Sequence, residues 1–295
     1  DGKYPIHRYF GKSIRKYRGT GVPRYFKRGY ATEHDLSIPH ASFDDLPFEY
    51  PLRGHGDYRI PAFEIKQENG LSYADLTFTG LKITDGKPEL PGLPSITASC
   101  SEAKTLELTC EDARAGLRVT MYYTVIEEEG VILRHQRIEN TGMQTLRLEN
   151  AQSLSLELPA RDYDFLSLYG PHAKEANRFR FRIHHGIQKT ESVRGSSSPQ
   201  HQPFFALVSP DTSEEKGEIY AFHLIYSGNF LAQVECDQFG NIRVQIGIHP
   251  DSFCWELSPG EAFHTPEAVL NYSDDWLNGM SHNFHTLYRP PQFPR

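Results

Sequence analysis

Over most of its length the chain alternates apolar and polar residues with a period of two, the pattern of strands buried on one face. The stretch from Gly116 to Leu158 is the plainest. Leu117–Ile126 is rich in β-branched and aromatic residues, Glu127–Gly130 turns the chain, and Val131–Glu139 returns. Asn140-Thr141-Gly142 turns it again, and Leu146, Leu148, Leu154, Leu156 and Leu158 then alternate with polar residues. This spacing predicts an antiparallel meander. A second meander is expected after residue 217, with strands at Glu218–Tyr226, Phe230–Cys236, Ile242–Ile248 and Trp255–Leu257 and a closing strand at Ala268–Tyr272. Ser227-Gly228-Asn229, Asp237–Asn241 and Ser258-Pro259-Gly260 supply its turns. Phe204–Val208 reads as a further strand. Turn signals at this spacing, with scarcely any helical period, predict an all-β sandwich and not alternating β and α units.

One helix is predicted, and it comes last. Leu277, Met280, Phe284, Leu287 and Tyr288 form one apolar stripe, which Ser273 or Asp274 is placed to cap. Arg289 falls where the helix dipole favours a cation, and Pro290-Pro291 stops the helix. A capped helix followed by a Pro-rich stub reads as an exit to another domain. The expected organisation is therefore a β-domain over residues 1–272 and a helix with linker over 273–295. Thr20–Arg59 is the least regular stretch, rich in Pro, Gly and aromatics, and long irregular segments of this kind often carry contacts.

The chain has 295 residues, enough for a sizeable core, and a formal net charge of -7. That acidic balance argues against nucleic-acid binding, which needs a basic footprint. No apolar run approaches the ~20 residues that a membrane helix requires. The four cysteines, Cys100, Cys110, Cys236 and Cys254, form no CxxC pair. Cys100 and Cys110 read as flanking a hairpin turned near Ser101–Lys104, a geometry that strains a bridge, so reduced thiols and a cytoplasmic location are expected. The chain opens with Asp-Gly-Lys and not with Met, which leaves room for a removed leader.

Candidate chemistry is sparse. Among 14 histidines, His184 and His185 are adjacent and point to opposite faces of a strand, and His282 and His285 share a helix face without a completing ligand. No metal and no cofactor is expected. Arg178-Phe-Arg-Phe-Arg182 places Phe179 and Phe181 in the core and three guanidinium groups outside, as a solvated face or as a partner surface. Arg194–His201 lacks phosphate-loop spacing and reads as a turn. The neighbouring carboxylates Asp44-Asp45, Asp274-Asp275 and Glu127–Glu129 read as turns and a cap, and nothing nominates a pair flanking one glycosidic bond. No catalytic residue is expected in this chain.

Several motifs nevertheless recur in a recognisable order: Gly56-Asp-Tyr-Arg-Ile-Pro-Ala62, Arg194-Gly-Ser-Ser-Ser198, Pro203–Val208, Tyr226-Ser-Gly-Asn-Phe-Leu231, Asp237-Gln-Phe-Gly240, Thr265-Pro-Glu267 and Tyr272–Ser281. With them the chain closely resembles the N-terminal domain of family 36 glycoside hydrolases, the bacterial α-galactosidases of melibiose and raffinose-type sugars. The resemblance runs from Tyr9-Phe-Gly-Lys12 to Leu287-Tyr-Arg289. It implies a large antiparallel β-supersandwich of the galactose-mutarotase-like kind, a following (β/α)₈ barrel that carries two catalytic aspartates, and a homo-oligomer, commonly a tetramer. It also implies that the first strands of the domain lie upstream of Asp1 and that this piece alone is inactive. Family members reach a neighbour's sugar pocket with an aspartate in a Pro-Arg-Leu-Asp-Arg stretch. Here that stretch is Pro23–Arg28, and Phe26, Lys27 and Arg28 become the candidate substrate-lining residues. Two other readings stand beside this one. An autonomous carbohydrate-binding module would use exposed aromatics such as Tyr25, Phe26 or Tyr30, and a mutarotase-like epimerase would need a His/Glu acid–base set in a concave face.

Overall fold

The structure is a computed structural model that describes residues 3–15, 43–54, 56–197 and 199–289. The first strands are Phe63–Gln67 (β1), Thr77–Asp85 (β2), Ala103–Asp112 (β3), Leu117–Ile126 (β4), Val131–Asn140 (β5) and Leu146–Leu158 (β6). Asp164–Tyr169 (β7), Asn177–Arg182 (β8), Gly186–Ser192 (β9), His201–Val208 (β10) and Ile219–Ile225 (β11) follow. Phe230–Cys236 (β12), Ile242–Ile248 (β13), Trp255–Leu257 (β14), Ala262–His264 (β15), Glu267–Ser273 (β16) and the helix Trp276–Tyr288 (α1) complete the order. The strands build two sheets, one in the order β1-β6-β13-β12-β9 with β14 on β6, the other β2-β3-β4-β5-β16-β11-β10-β7-β8 with β15 on β5. Every ladder between these strands is antiparallel, and the all-β sandwich expectation holds.

The predicted strands form, because their alternation gives each one apolar face, but neither predicted meander does: β4 pairs with β5 while β6 crosses to the smaller sheet, and of the second set only β12 and β13 pair with each other, β11 and β16 lying in the larger sheet and β14 on β6. Leu154, Leu156, Leu158, Val244 and Ile246 from the smaller sheet meet Phe165, Phe205, Phe222 and Leu270 from the larger one in a closed core. A second core region joins Phe63, Leu146 and Leu148 to Leu117, Val119, Met121 and Ile138. The turn before β4 and the turn after β5 pack backbone to backbone. Gly142 N–H donates to the Gly116 carbonyl at 3.2 Å, and a side chain on Gly116 would meet the Gly142 Cα at 2.5 Å, so glycine is required there.

Three further expectations need correction. Ala268–Tyr272 does not close the sheet; β16 sits in its middle, between β5 and β11. Cys100 and Cys110 do not flank a hairpin, since β3 pairs with β2 on one side and β4 on the other. All four cysteines are free thiols, as expected. Phe179 is not in the core but 48% exposed, because β8 is the edge strand and has no layer above its outer part; Phe181 does stack on Phe165 at 5.2 Å.

Polar side chains complete the sandwich where strands stop. β1 accompanies β6 only up to Ala151, and beyond that point the carbonyls of β6 on this side have no partner strand. Two buried side chains of β5 take its place: Gln136 donates to the Ser153 carbonyl at 2.9 Å and Arg134 to the Ser155 carbonyl. An unpaired buried carbonyl costs roughly 1–3 kcal/mol, which explains polar residues inside the sandwich. Arg134 also reaches Glu49 at 2.8 Å, and Glu49 accepts from Tyr123 and contacts His7 Nε2 at 2.5 Å. Burial would raise the Glu49 carboxyl, but Arg134 and His7 outweigh it and hold Glu49 below its ordinary range. This cluster ties residues 3–15 and 43–54 to the sandwich.

Candidate functional site

A concave surface lies beside α1, on the outer face of the larger sheet. Outward residues of that sheet, among them Leu133, Leu166, Ala206, Ala221 and Val269, pack against Met280 and Phe284 of the helix. The predicted stripe is thus real, although Tyr288 remains 40% exposed. The helix starts at Trp276, after Asp275, and the Ser273 hydroxyl accepts from the Asp275 N–H at 3.1 Å. A side chain on Gly279 would meet the Asp275 Cβ at 2.7 Å, so the first turn closes only over glycine. Three further contacts pin α1: Asn278 donates to the Glu214 carbonyl at 3.1 Å, Phe204 meets Phe284 edge-on at 5.8 Å, and Tyr288 hydroxyl bonds His223 Nδ1 at 2.6 Å. Burial pushes the His223 imidazole down to about 4, which keeps it neutral near pH 7.

Between α1, β7, β8 and β10 lies a groove of about 600 Å³. Leu166, Leu168, Phe204 and Phe284 give it an apolar floor, and the Arg178–Glu214 ion pair stands on its rim. Among the described residues, Glu214 is the one carboxylate in its lining and is paired with Arg178, so no two carboxylates face each other across it. Its chemistry is that of a docking surface: desolvated apolar area with a polar edge.

A second constellation is electrostatic. Asp57, Arg59, Glu157 and Arg243 are all buried on the outer face of the smaller sheet, between residues 57–61 and strands β6 and β13. Arg243 touches Asp57 at 2.5 Å and Glu157 at 2.6 Å, and Arg59 contacts Asp57 at 2.9 Å and Glu157 at 3.3 Å. Ile60 N–H donates to Glu235 at 2.7 Å, while its carbonyl accepts from Arg243 at 2.9 Å and Gln245 at 3.1 Å. Burial alone would raise the Asp57 carboxyl; Arg243 and Arg59 overcome this and lower it. The network fixes the Gly56–Ala62 motif to the sheet. Sequence reasoning missed it because Asp57 and Arg243 lie 186 positions apart; the motif itself was the one available signal.

The candidate substrate-lining residues Phe26, Lys27 and Arg28 lie outside the described residues, as do Tyr25 and Tyr30. The arginine strand keeps a solvated face but its guanidinium groups are paired: Arg178 and Arg182 stay exposed, Arg178 pairs with Glu214, Arg180 and Arg182 share Asp164, and Arg180 also donates to the carbonyls of Ser209, Pro210 and Thr212. The Arg194 loop is a turn, held by Gly195 N–H on the Asn229 side chain at 2.6 Å. Among the described residues no three His, Cys, Asp or Glu side chains converge as a metal site. Among the described residues, Glu49 and His7 form a largely buried pair completed by Arg134 and Tyr123; neither lines the small cavity bounded by Tyr4, Phe48 and Tyr50, which measures about 20 Å³. That is room for a water, not a hexose.

The comparisons with known proteins agree with this picture. The model of the glycosyl hydrolase family 36 N-terminal domain matches residues 3–258. The chain belongs to that family. It is 45% identical over 97% of its length to α-galactosidase AgaA of Geobacillus stearothermophilus and 43% identical over 82% to α-galactosidase C of Emericella nidulans. A crystal structure of AgaA in complex with stachyose superposes with a TM-score of 0.95 at 44% identity, covering 98% of this chain and 40% of that one. The galactosidase domain of the α-galactosidase–sucrose kinase AgaSK gives 0.92 at 37% identity, covering 96% of this chain and 40% of that one. The chain thus spans between about a third and two fifths of the length of these curated relatives, 39% of AgaA and 32% of α-galactosidase C.

Proposed function

We propose that this chain is the non-catalytic N-terminal domain of a retaining α-galactosidase that hydrolyses terminal α-galactosyl residues of melibiose and raffinose-type oligosaccharides in the cytoplasm. The sandwich, ending near residue 272, supports a (β/α)₈ catalytic domain that follows the helix and linker of residues 273–295. It makes subunit contacts in a homo-oligomer, a tetramer by resemblance, and walls the substrate pocket through Phe26, Lys27 and Arg28. Stachyose, bound in the AgaA crystal, falls within the same substrate class.

One observation carries the reading: the family 36 N-terminal domain model matches residues 3–258 while the chain covers only 39% of the length of AgaA, and an apolar groove of about 600 Å³ lies open beside α1. The groove is where the catalytic domain seats. The test is turnover of melibiose by this chain alone and by the longer protein. The expected result is no turnover by the chain and full turnover by the longer protein; turnover by the chain alone, in material free of contaminating galactosidase, overturns the assignment.

A further inference from the structure

We propose that residues 87–98 form a strap over the outer face of the larger sheet, fastened by the single carboxylate of Glu267, whose opening lets the buried His135 take up a proton. The strap belongs to the connection 86–102 between β2 and β3. Connections beyond ~12–15 residues without an element of their own are uncommon in compact domains and often functional. Pro88, Pro91 and Pro94 stiffen this one and remove N–H donors from it. Among the described residues, every hydrogen bond and ion pair from 87–98 to the strands beneath ends on Glu267. The Lys87 ammonium lies 2.9 Å from its carboxylate, and the Ile96 N–H donates to it at 2.8 Å. The Lys87 side chain is 3% exposed and that of Glu267 0%. Leu90 is buried, while Ile96 and Ala98 are only partly covered where they pack against the Met280 and Phe284 cluster. One side chain thus holds the strap at two separate points, and little else does.

The Thr265-Pro266-Glu267 motif places that carboxylate. The Thr265 hydroxyl accepts from the Gln136 N–H at 2.9 Å and donates to the Gln136 side chain at 2.8 Å, which fixes where β16 begins. Ala268 pairs with Arg134, so Glu267 stands one step further along, at the level of His135. Ala268 and Leu270 face the core, and Glu267 therefore faces outward with Val269; His135 shares the outward row of β5 with Leu133. The imidazole is 3% exposed, stacked on Tyr122 at 4.5 Å and 6.3 Å from the His264 ring.

The groups around this cluster come from every side. Lys87 faces it from the strap, Tyr122 from β4, His264 from β15 with Arg137 acting on it, and Tyr288 from α1, where it feels the Glu267 charge. With the strap closed, burial and the charges of Lys87 and His264 hold the His135 imidazole at about 3. Once the strap opens, water reaches the ring and it returns toward about 6.5. Between pH 7.5 and pH 5 that difference favours the open form about 30-fold. His264, lowered by burial and by Arg137, acts in the same direction. Glu267 acts in the opposite one: burial raises its carboxyl against the pull of Lys87 and the Ile96 N–H, so acid favours the closed form through this group. The signature of the device is therefore the share of the pH response that His135 supplies, and not the net slope.

The experiment is amide hydrogen exchange by mass spectrometry on the full-length protein at pH 7.5 and pH 5, corrected for the intrinsic exchange rate at each pH. It compares the peptide that holds the Ile96 amide with the peptide of β16. In the wild type the Ile96 amide exchanges through an opening that leaves β16 protected. The rise in that opening constant from pH 7.5 to pH 5 is about 30-fold larger in the wild type than in His135→Gln, each protein serving as its own reference. Lys87→Met strands the buried carboxylate and raises the opening constant at pH 7.5 by about 10-fold or more, with β16 still protected. Exchange at Ile96 that tracks β16 at both pH values means no separate opening and overturns the proposal. An equal pH response in the wild type and His135→Gln overturns it by removing the sensor, and an opening that Lys87→Met leaves unchanged overturns it by removing the fastening.

Discussion

Replacing Arg243 with methionine removes the cation at the centre of the buried network and leaves a shape of similar length. The guanidinium is 1% exposed and lies 2.5 Å from Asp57 and 2.6 Å from Glu157. At the effective dielectric of protein sites each such contact is worth up to about 4 kcal/mol before desolvation is subtracted. Much of that gain is cancelled by taking the ions out of water, so the pair adds little. Breaking it is different, because two carboxylates are then left buried with Arg59 alone to compensate them. Losing one partner of a buried pair costs about 3–5 kcal/mol. For a domain of this size that lowers the melting temperature by roughly 6–20 °C. The assay is thermal and urea unfolding of Arg243→Met, Asp57→Asn and the double variant. Each single change should be strongly destabilising, and Asp57→Asn should cost at least 1 kcal/mol less in the Arg243→Met background, since the orphaned charge is already gone. A loss below about 1 kcal/mol for Arg243→Met, or strict additivity, would refute the claim that these residues act as one buried unit.

Two further outcomes follow from burial. His135, 3% exposed and stacked on Tyr122 at 4.5 Å, is pushed down to about 3 by burial, with Lys87 and His264 adding to the effect. The unfolded chain takes up its histidine proton near pH 6.5, so between there and pH 4 it binds more protons than the folded chain, and stability falls as pH falls, by about 3 kcal/mol from this residue. Urea unfolding at stepped pH checks the slope, and His135→Gln should flatten it; the lowered carboxyls of Glu49 and Asp57 add their own loss at still more acid pH. Burial also pushes the Cys110 thiol up to about 12, and Cys100 and Cys254 are exposed. A thiol reagent on the native protein should label the two exposed cysteines quickly and Cys110 only after unfolding; fast labelling of Cys110 would contradict its place in the core.

Alternation made β4, β5, β6, β12 and β13 legible in the sequence, because each buries one face against the opposite sheet. Strand β2 escaped for the opposite reason: on an edge, with Leu81 and Ile83 more than half exposed, it carries no pattern of in and out. Phe179 misled for the same cause, an apolar residue on an edge with nothing over it. The helix stripe announced α1, but the groove beside it is assembled from β7, β8, β10 and α1, and no local window contains those elements together. The ion network was likewise invisible, since charges at Asp57, Glu157 and Arg243 look like ordinary surface residues until the sheet brings them into register.

The central place of β16 has a consequence for how the molecule is made. Until residues 267–273 have left the ribosome, the larger sheet exists as two separate halves, each ending in a bare, hydrogen-bonding margin at β5 and at β11. The nascent sandwich must therefore wait, its other strands already made, with two adhesive flanks exposed, a state in which holding factors or a slow decoding rate would raise yield and in which premature termination before Glu267 would leave insoluble protein.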